Sequence, residues 1–380
     1  MPIRSLRIIS KLLSASVLLL VLTACVGSGT STTNNQQGSM CSGCQFLYAS
    51  TNANQILTYQ VSSSGALGSP SSTPGAPNTP YFAGPPGGPV YALDASSNTL
   101  DAFNVNYSTG ALTPMGSPFN LGSTSGARAG FLWVGQYLYV GDTNGTISAF
   151  NISDTGANPI AVPGSPFAAG AAPVNLFWSY SNPPNSTILY AADFSRNVIW
   201  AFTIGSTGAL TMVPGSPFAT SPNSAPAGMA AIGYTLYVAL SGTNQIAAFS
   251  IGASGALTPV TGSPFPAGRG PKSLLGYTVD NGDYLYALNS LDHTISAYSM
   301  DQTSGILTEV QGSPFPAGTA SAGIVGGRAI YVPDLQSNDI LAFAVEGATG
   351  SLSPLTGSPF PTSVGPMALT IVDSPILTPP

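Results

Sequence analysis

Apolar and polar residues alternate along most of this chain in short runs, broken by Gly, Asn, Ser and Asp. Alternation with a period of two predicts half-buried β-strands. The runs recur in a fixed order. A Tyr comes first: Tyr48, Tyr91, Tyr139, Tyr190, Tyr237, Tyr286 and Tyr331. Eight or nine residues later stands an aliphatic residue, with an aromatic three residues beyond it. These pairs are Ile56/Tyr59, Leu100/Phe103, Ile147/Phe150, Ile199/Phe202, Ile246/Phe249, Ile295/Tyr298 and Ile340/Phe343. A cluster around Gly-Ala-Leu follows, as in Gly208-Ala209-Leu210 and Gly255-Ala256-Leu257; the third unit is irregular there, with Gly156 and then Ile160. Six of the units end in Gly-Ser-Pro-Phe, at 116–119, 164–167, 215–218, 262–265, 312–315 and 357–360. The first unit keeps only Ser69-Pro70 at that place.

Each unit therefore offers three clear strands: one around the Tyr, one around the aliphatic–aromatic pair, and one from Leu to the Phe of the tetrapeptide. A fourth precedes the Tyr and reads Pro-x-x-aliphatic or close to it, as in Pro173–Leu176, Pro226–Met229 and Pro271–Leu274. Successive tetrapeptides start 48, 51, 47, 50 and 45 residues apart. Four antiparallel strands at that interval predict the blades of an all-β, seven-bladed β-propeller. The first unit has no strand before Leu47-Tyr48. The last tetrapeptide is followed by Pro366–Val372, a first strand with no unit after it. The C-terminal strand is thus expected to join the first blade as its innermost strand, closing the ring and removing an open edge. Proline suits the outer edge of a sheet because it donates nothing to a ladder. The Phe of each tetrapeptide is expected in the seam between blades, where burying such a ring is worth about 1.5–3 kcal/mol.

The flanks read differently. Arg4, Arg7 and Lys11 precede an apolar run, Leu12 to Leu22, that is too short to span a membrane as a mature helix. It ends Leu22-Thr23-Ala24-Cys25, which resembles the lipobox of bacterial lipoproteins. That resemblance implies a signal peptide over 1–24 and lipidation of Cys25. It places the protein in the cell envelope, and Val26 beside the Cys favours the outer membrane of a host that has one. Residues 25–44 form a Gly-, Ser-, Thr-, Asn- and Gln-rich tether ending in Cys41-Ser42-Gly43-Cys44, a candidate disulfide in an oxidising compartment. The propeller is expected over 45–373, with a tail over 374–380. Without Arg4, Arg7 and Lys11, five basic residues face 14 acids, a formal charge of −9. That balance argues against nucleic acid as a partner and leaves the lipid as the membrane contact.

Candidate chemistry is sparse. The one histidine, His293, takes a slot held elsewhere by Asn54, Asn98, Gly145, Asn197, Asn244 and Asn338. Asn, Gly and His all tolerate positive φ, so the slot reads as a left-handed turn and not as a catalytic position. A column three residues after each Tyr holds Thr51, Asp94, Asp142, Asp193, Leu240, Asn289 and Asp334. An acidic ring for a cation is one reading of it; turn capping is the reading favoured. The connections between blades, at the expected channel mouth, hold Tyr81, Phe82, Arg128, Asn175, Arg269, Lys272 and Ser273. A basic mouth on an acidic protein suits an anion or a carboxylate. No catalytic residue, cofactor or metal is assigned, and a monomer is expected.

Segments such as Leu236-Tyr237-Val238-Ala239, Asn244-Gln245-Ile246-Ala247-Ala248-Phe249 and Gly262-Ser263-Pro264-Phe265 resemble the seven-bladed lactonase-like propellers of the 6-phosphogluconolactonase type. The resemblance covers all seven units. It implies lactone ring opening or its reverse, with His, Glu and Arg around the channel. This chain departs from that pattern: His293 sits in a turn slot, and Glu309 and Glu346 fall in the outer halves of their blades. Two readings stand at this point. One is a surface-anchored binding or scaffold module for a protein, a glycan or a small anion. The other is a lactone hydrolase in which Arg128, Arg269 and Lys272 polarise the carbonyl and an Asp activates water.

Overall fold

A computed structural model describes residues 43–374, apart from 76–80, 84–87, 96, 123–127, 153–158, 171–172, 183–185, 280–281 and 322. The signal segment, Cys25 and Cys41 lie outside the described residues.

The strands form seven antiparallel sheets, each built in chain order from the inside outward. The fourth blade is typical: Pro173–Tyr180, Thr187–Asp193, Val198–Ile204 and Leu210–Met212. The first blade is the exception. Its innermost strand is the C-terminal Pro366–Asp373, paired along Gln45–Thr51 from Gln45↔Asp373 to Thr51↔Pro366. The closure expected from the two chain ends is the one formed. Gln45 reinforces it, donating from Nε2 to Asp373 Oδ1 at 2.8 Å and accepting the Arg328 N–H at 2.9 Å.

The apolar core has no single centre. It divides into seven buried clusters, each shared by two neighbouring blades. The repeated Tyr lies at 0% exposure in every unit. A buried phenol needs a partner for its hydroxyl, and among the described residues six of these tyrosines are seen to reach across a seam to a carbonyl. Tyr48 donates to the carbonyl of Gly110, Tyr139 to Gly208, Tyr190 to Gly255, Tyr237 to Gly305 and Tyr286 to Gly350, at 2.8–2.9 Å. Tyr331 completes the circle by donating to Gly65 of the first blade at 2.7 Å. The seventh, Tyr91, stacks on Trp133 of the third blade, with ring centroids 5.1 Å apart.

These latches explain the Gly of the Gly-Ala-Leu cluster. Gly208 sits at φ 80°, and a Cβ there would lie 2.4 Å from the ring of Tyr137. Only glycine satisfies both the backbone conformation and the close approach of the neighbouring blade.

Gly-Ser-Pro-Phe does not continue the outer strand as the sequence pattern suggested. Leu to Phe is two short strands on one edge of the third strand, such as Leu257–Pro259 and Phe265–Pro266 in the fifth blade. Between them the chain leaves the ladder, with a cis Ser263-Pro264 bond. The Ser hydroxyl oxygen takes the place of the missing ladder acceptor: Ala248 N–H donates to Ser263 Oγ at 2.8 Å, and Val260 N–H donates to the Ala248 carbonyl at 2.9 Å. The same bond recurs at Ser165, Ser216, Ser313 and Ser358. The Phe returns opposite the aliphatic residue of its own blade, as in Phe265↔Ile246. Phe265 is buried and its five equivalents are half-buried, so the repeated Tyr contributes more to the seams than the Phe.

Candidate functional site at the channel mouth

The register places the site. In five blades the start of the innermost strand lies opposite the end of the second strand, as in Pro173↔Asp193, Pro226↔Leu240 and Pro271↔Asn289. The loops that enter each blade therefore share one face with the turns between second and third strands. We call this the mouth face. The chain enters the propeller at Gly43–Gln45, at the opposite end of the same pairings.

On the mouth face a cavity of about 770 Å³ opens between the innermost strands. The strands can converge there because small residues face the neighbouring blade. A Cβ on Gly228 would stand 2.5 Å from the Lys272 carbonyl oxygen and 2.8 Å from the Ser273 Cα. Gly228 thus brings the fifth blade against the strand that carries Lys272 and Ser273.

Of the residues singled out from the sequence, Tyr81, Asn175, Lys272 and Ser273 line this cavity, with Phe82 beside them. Burial pushes the Tyr81 phenol up from its usual range. Lys272 is the only charged residue among the described lining, and that lining includes no Asp, Glu, His or Cys. Among the described residues, Asn175, Lys272 and Ser273 make no side-chain hydrogen bond to the protein, which leaves their donors for a ligand. Two further serines line the cavity but donate elsewhere: Ser241 Oγ to the Ala225 carbonyl at 2.8 Å, and Ser290 Oγ to the Gly270 carbonyl at 2.9 Å. With the proton committed, each offers a ligand only lone pairs. The rest of the wall is mainly apolar, including Phe194, Ile324, Val325, Met367 and Leu369.

Arg269 stands apart from the cavity. Its side chain is 69% exposed, and its Nε donates to Asp292 Oδ1 at 2.6 Å. The Arg269 backbone N–H, and then its guanidinium, hold the Asp292 carboxyl below the usual range. Arg128 begins the innermost strand of the third blade, opposite Asp142; its side chain lies outside the described part. Cys44 is disulfide-bonded, while Cys41, the half expected from the sequence, falls outside the described residues.

The acidic column closes turns. Asp193 Oδ1 accepts the N–H groups of Ser195 and Arg196, both at 3.1 Å. Asp142 accepts the Ser148 hydroxyl at 2.9 Å. Asp334 accepts N–H groups from Thr319, Ala320, Gln336 and Ser337. Burial pushes the Asp334 carboxyl up, but the Thr319, Ser337 and Gln336 amides outweigh it and keep it below the usual range. Among the described residues no group of three or more His, Cys, Asp or Glu could hold a metal ion. His293 has φ 57°, beside Asn54, Asn98, Asn197, Asn244 and Asn338 at 56–60°. It is a turn residue.

The sequence reasoning missed Phe194, Ser241 and Ser290. A signal was present: they stand four residues after their Tyr, one beyond the acidic column. It also missed the wall given by Ile324, Val325 and Met367–Leu369, which the ring closure and the last inter-blade connection bring to the axis.

Residues 124–361 match the sequence profile of the family described as "Lactonase, 7-bladed beta-propeller". No curated protein matches the sequence. Among solved structures the chain is similar to a proposed 6-phosphogluconolactonase from Bacteroides uniformis, at 20% identity over 87% of this chain and 100% of that one, TM-score 0.72. It is similar to the periplasmic gluconolactonase of Pseudomonas aeruginosa, at 17% identity over 87% and 100%, TM-score 0.71. It is also similar to a proposed 6-phosphogluconolactonase from Bacteroides fragilis, at 20% identity over 89% and 100%, TM-score 0.70. At these identities the likeness is one of fold.

Proposed function

This chain belongs to the family of seven-bladed β-propeller lactonases, and from that premise we propose that it serves as a binding propeller whose mouth cavity holds a small ligand by an anionic end. One observation carries this reading: the described wall of the cavity offers Lys272, Ser273 and Asn175 as donors and no carboxylate or imidazole. Lys272 supplies the charge for an anion, and the two neutral donors fix its orientation. General-base hydrolysis needs a group within reach to take a proton from water. The mouth-face acids of the turn column are bound to their own turns instead.

Hydrolysis of a lactone is the second reading, and family membership is what favours it. Here Lys272 would polarise the ring carbonyl, with Ser273 beside it. Both readings are tested with the purified full chain, gluconate and glucono-δ-lactone. Binding of gluconate that Lys272→Ala weakens tenfold or more, without enzymatic loss of the lactone, supports the binder. Lactone turnover that Lys272→Ala abolishes replaces it with the hydrolase.

The anchoring belongs to the same proposal. A lipid at Cys25 would tie the propeller to the membrane through the Gly-, Ser-, Thr-, Asn- and Gln-rich tether. Cys25→Ala is then expected to move the protein into the soluble envelope fraction; retention at the membrane would refute the anchor.

A further inference from the structure

We infer that the ligand of the mouth cavity is an amphiphilic carboxylate, an anionic head on an apolar body, and not a polyhydroxylated sugar acid. The inference rests on the reading of that cavity as a ligand site, and it names the class of ligand.

The wall is the first ground. Its side-chain donors not committed elsewhere sit on three innermost strands, at Tyr81, at Asn175 and at Lys272-Ser273. Much of the remaining wall is apolar, with Phe82, Ile324, Val325 and Leu369 prominent. A sugar acid carries hydroxyls on every side. Several would be buried against carbon, and each polar group buried without a partner costs roughly tenfold in affinity. A carboxylate at Lys272 with a hydrocarbon body leaves no such group.

The rim is the second ground. Phe194, Leu291 and Leu335 are 48%, 63% and 40% exposed. Single exposed apolar residues are ordinary. These three occupy the same kind of turn, between second and third strands, on three blades of the mouth face. Phe194 also lines the cavity itself, so the apolar wall reaches solvent there. A chain longer than the cavity has apolar surface to lie on as it leaves.

Charge is the third ground. Four of the five basic residues beyond the signal segment, Arg128, Arg196, Arg269 and Lys272, belong to mouth-face segments. Asp283, Asp301, Glu346 and Asp373 belong to the opposite face. Asp94, Asp142, Asp193, Asp292 and Asp334 also lie on the mouth face, but none lines the cavity, so the charge an anion meets in the described lining is that of Lys272.

The test is calorimetric titration of the purified full chain with butanoate, hexanoate, octanoate and decanoate, and with gluconate and octan-1-ol for comparison. Affinity is expected to rise roughly fourfold per added methylene until the cavity is filled. Octanoate should bind at least tenfold tighter than gluconate and than octan-1-ol. Lys272→Met should erase the preference over the alcohol, and Phe194→Ser should weaken decanoate but not butanoate. A flat chain-length series with gluconate bound as tightly as octanoate overturns the amphiphile and leaves the cavity reading standing. Octanoate binding undiminished in Lys272→Met overturns the carboxylate assignment. If none of the acids binds, gluconate included, the cavity reading falls and this inference with it.

Discussion

Replacing Tyr331 by Phe removes one oxygen from the seam that joins the last blade to the first. The ring stays, so no cavity opens and the packing of the seventh and first blades is kept. What is lost is the 2.7 Å bond to the Gly65 carbonyl, in a seam where Tyr331 is 0% exposed. A buried acceptor left without its donor costs about 1–3 kcal/mol. At about 2.1 cal/mol/K per residue, the roughly 330 residues from Gln45 to Asp373 unfold with an entropy near 0.7 kcal/mol/K. The expected loss in Tm is therefore about 1.5–4 °C. Tyr237→Phe, inside the ring, breaks the same bond at 2.8 Å and should cost a similar amount. Tyr180→Phe, at 49% exposure, is the control and should stay within about 0.5 kcal/mol. Scanning calorimetry on the four proteins decides the matter. If both seam variants melt with the parent, or if Tyr180→Phe falls as far as they do, the phenol-to-glycine latches are not what binds blade to blade.

The same phenols set an alkaline limit. Burial pushes the Tyr48, Tyr139, Tyr190, Tyr237, Tyr286 and Tyr331 hydroxyls above the tyrosine value of 10, and Tyr59 up to about 12. The unfolded chain then loses protons above pH 10 that the folded chain keeps, so stability is complete below that pH and falls above it, by up to about 1.4 kcal/mol per tyrosine per unit. Tyrosine ionisation followed at 295 nm should coincide with unfolding; ionisation complete at pH 10.5 in the folded protein would contradict this. His293→Asn should leave Tm unchanged, whereas His293→Val, placing a β-branched residue at φ 57°, should lower stability by about 1–2 kcal/mol in denaturant titration. Gly228→Ala presses a Cβ onto the backbone of Lys272 and Ser273, so it should cost about 1–3 kcal/mol and weaken gluconate binding; an unchanged melting curve would show that the strands part freely.

The ring was legible because its signals repeat. Seven Tyr slots, seven aliphatic–aromatic pairs and an unpaired last strand fix the blade count and the closure. The turn slot of His293 was legible for the same reason: its six equivalents are Asn or Gly, and a left-handed φ suits all three residue types. The loop inside Leu-to-Phe was not. Apolar positions at both ends look the same whether the chain between them stays in the ladder or leaves it, and the Ser that replaces a ladder acceptor also fits an ordinary turn. Part of the cavity wall was hidden for another reason. Ile324 and Val325 come from the connection into the last blade, and Leu369 from the C-terminal strand that only ring closure brings beside them.

A ring of seven like units has a difficulty that a single sheet lacks. A small ligand has no seven-fold symmetry, so equivalent positions cannot all bind it in the same way. The slots that build the ring are therefore poor places to look for recognition. The Tyr never varies, and the slot three residues on holds an Asp, Asn or Thr in six of seven units, with an interior bond to make wherever it is polar. The next slot also bonds inward at Asn52, Ser241 and Ser290, but its residue type changes from blade to blade. It reads Asn52, Ala95, Thr143, Phe194, Ser241, Ser290 and Leu335, and three of these line the cavity while Leu335 stands exposed on the mouth face. Lys272 follows the same logic, since it comes directly after the Pro that starts its blade, where the matching residues are Ala227 in the fifth blade and Met367 in the first. On the binding reading proposed above, specificity lies where the repeat stops agreeing with itself. Exchanging Ser241 and Phe194 tests this, since it keeps the set of residues and changes only their order around the mouth. Stability should fall by about 0.5–1.5 kcal/mol for the lost Ser241–Ala225 hydrogen bond and the ligand preference should change; an unchanged preference would mean that recognition lies elsewhere.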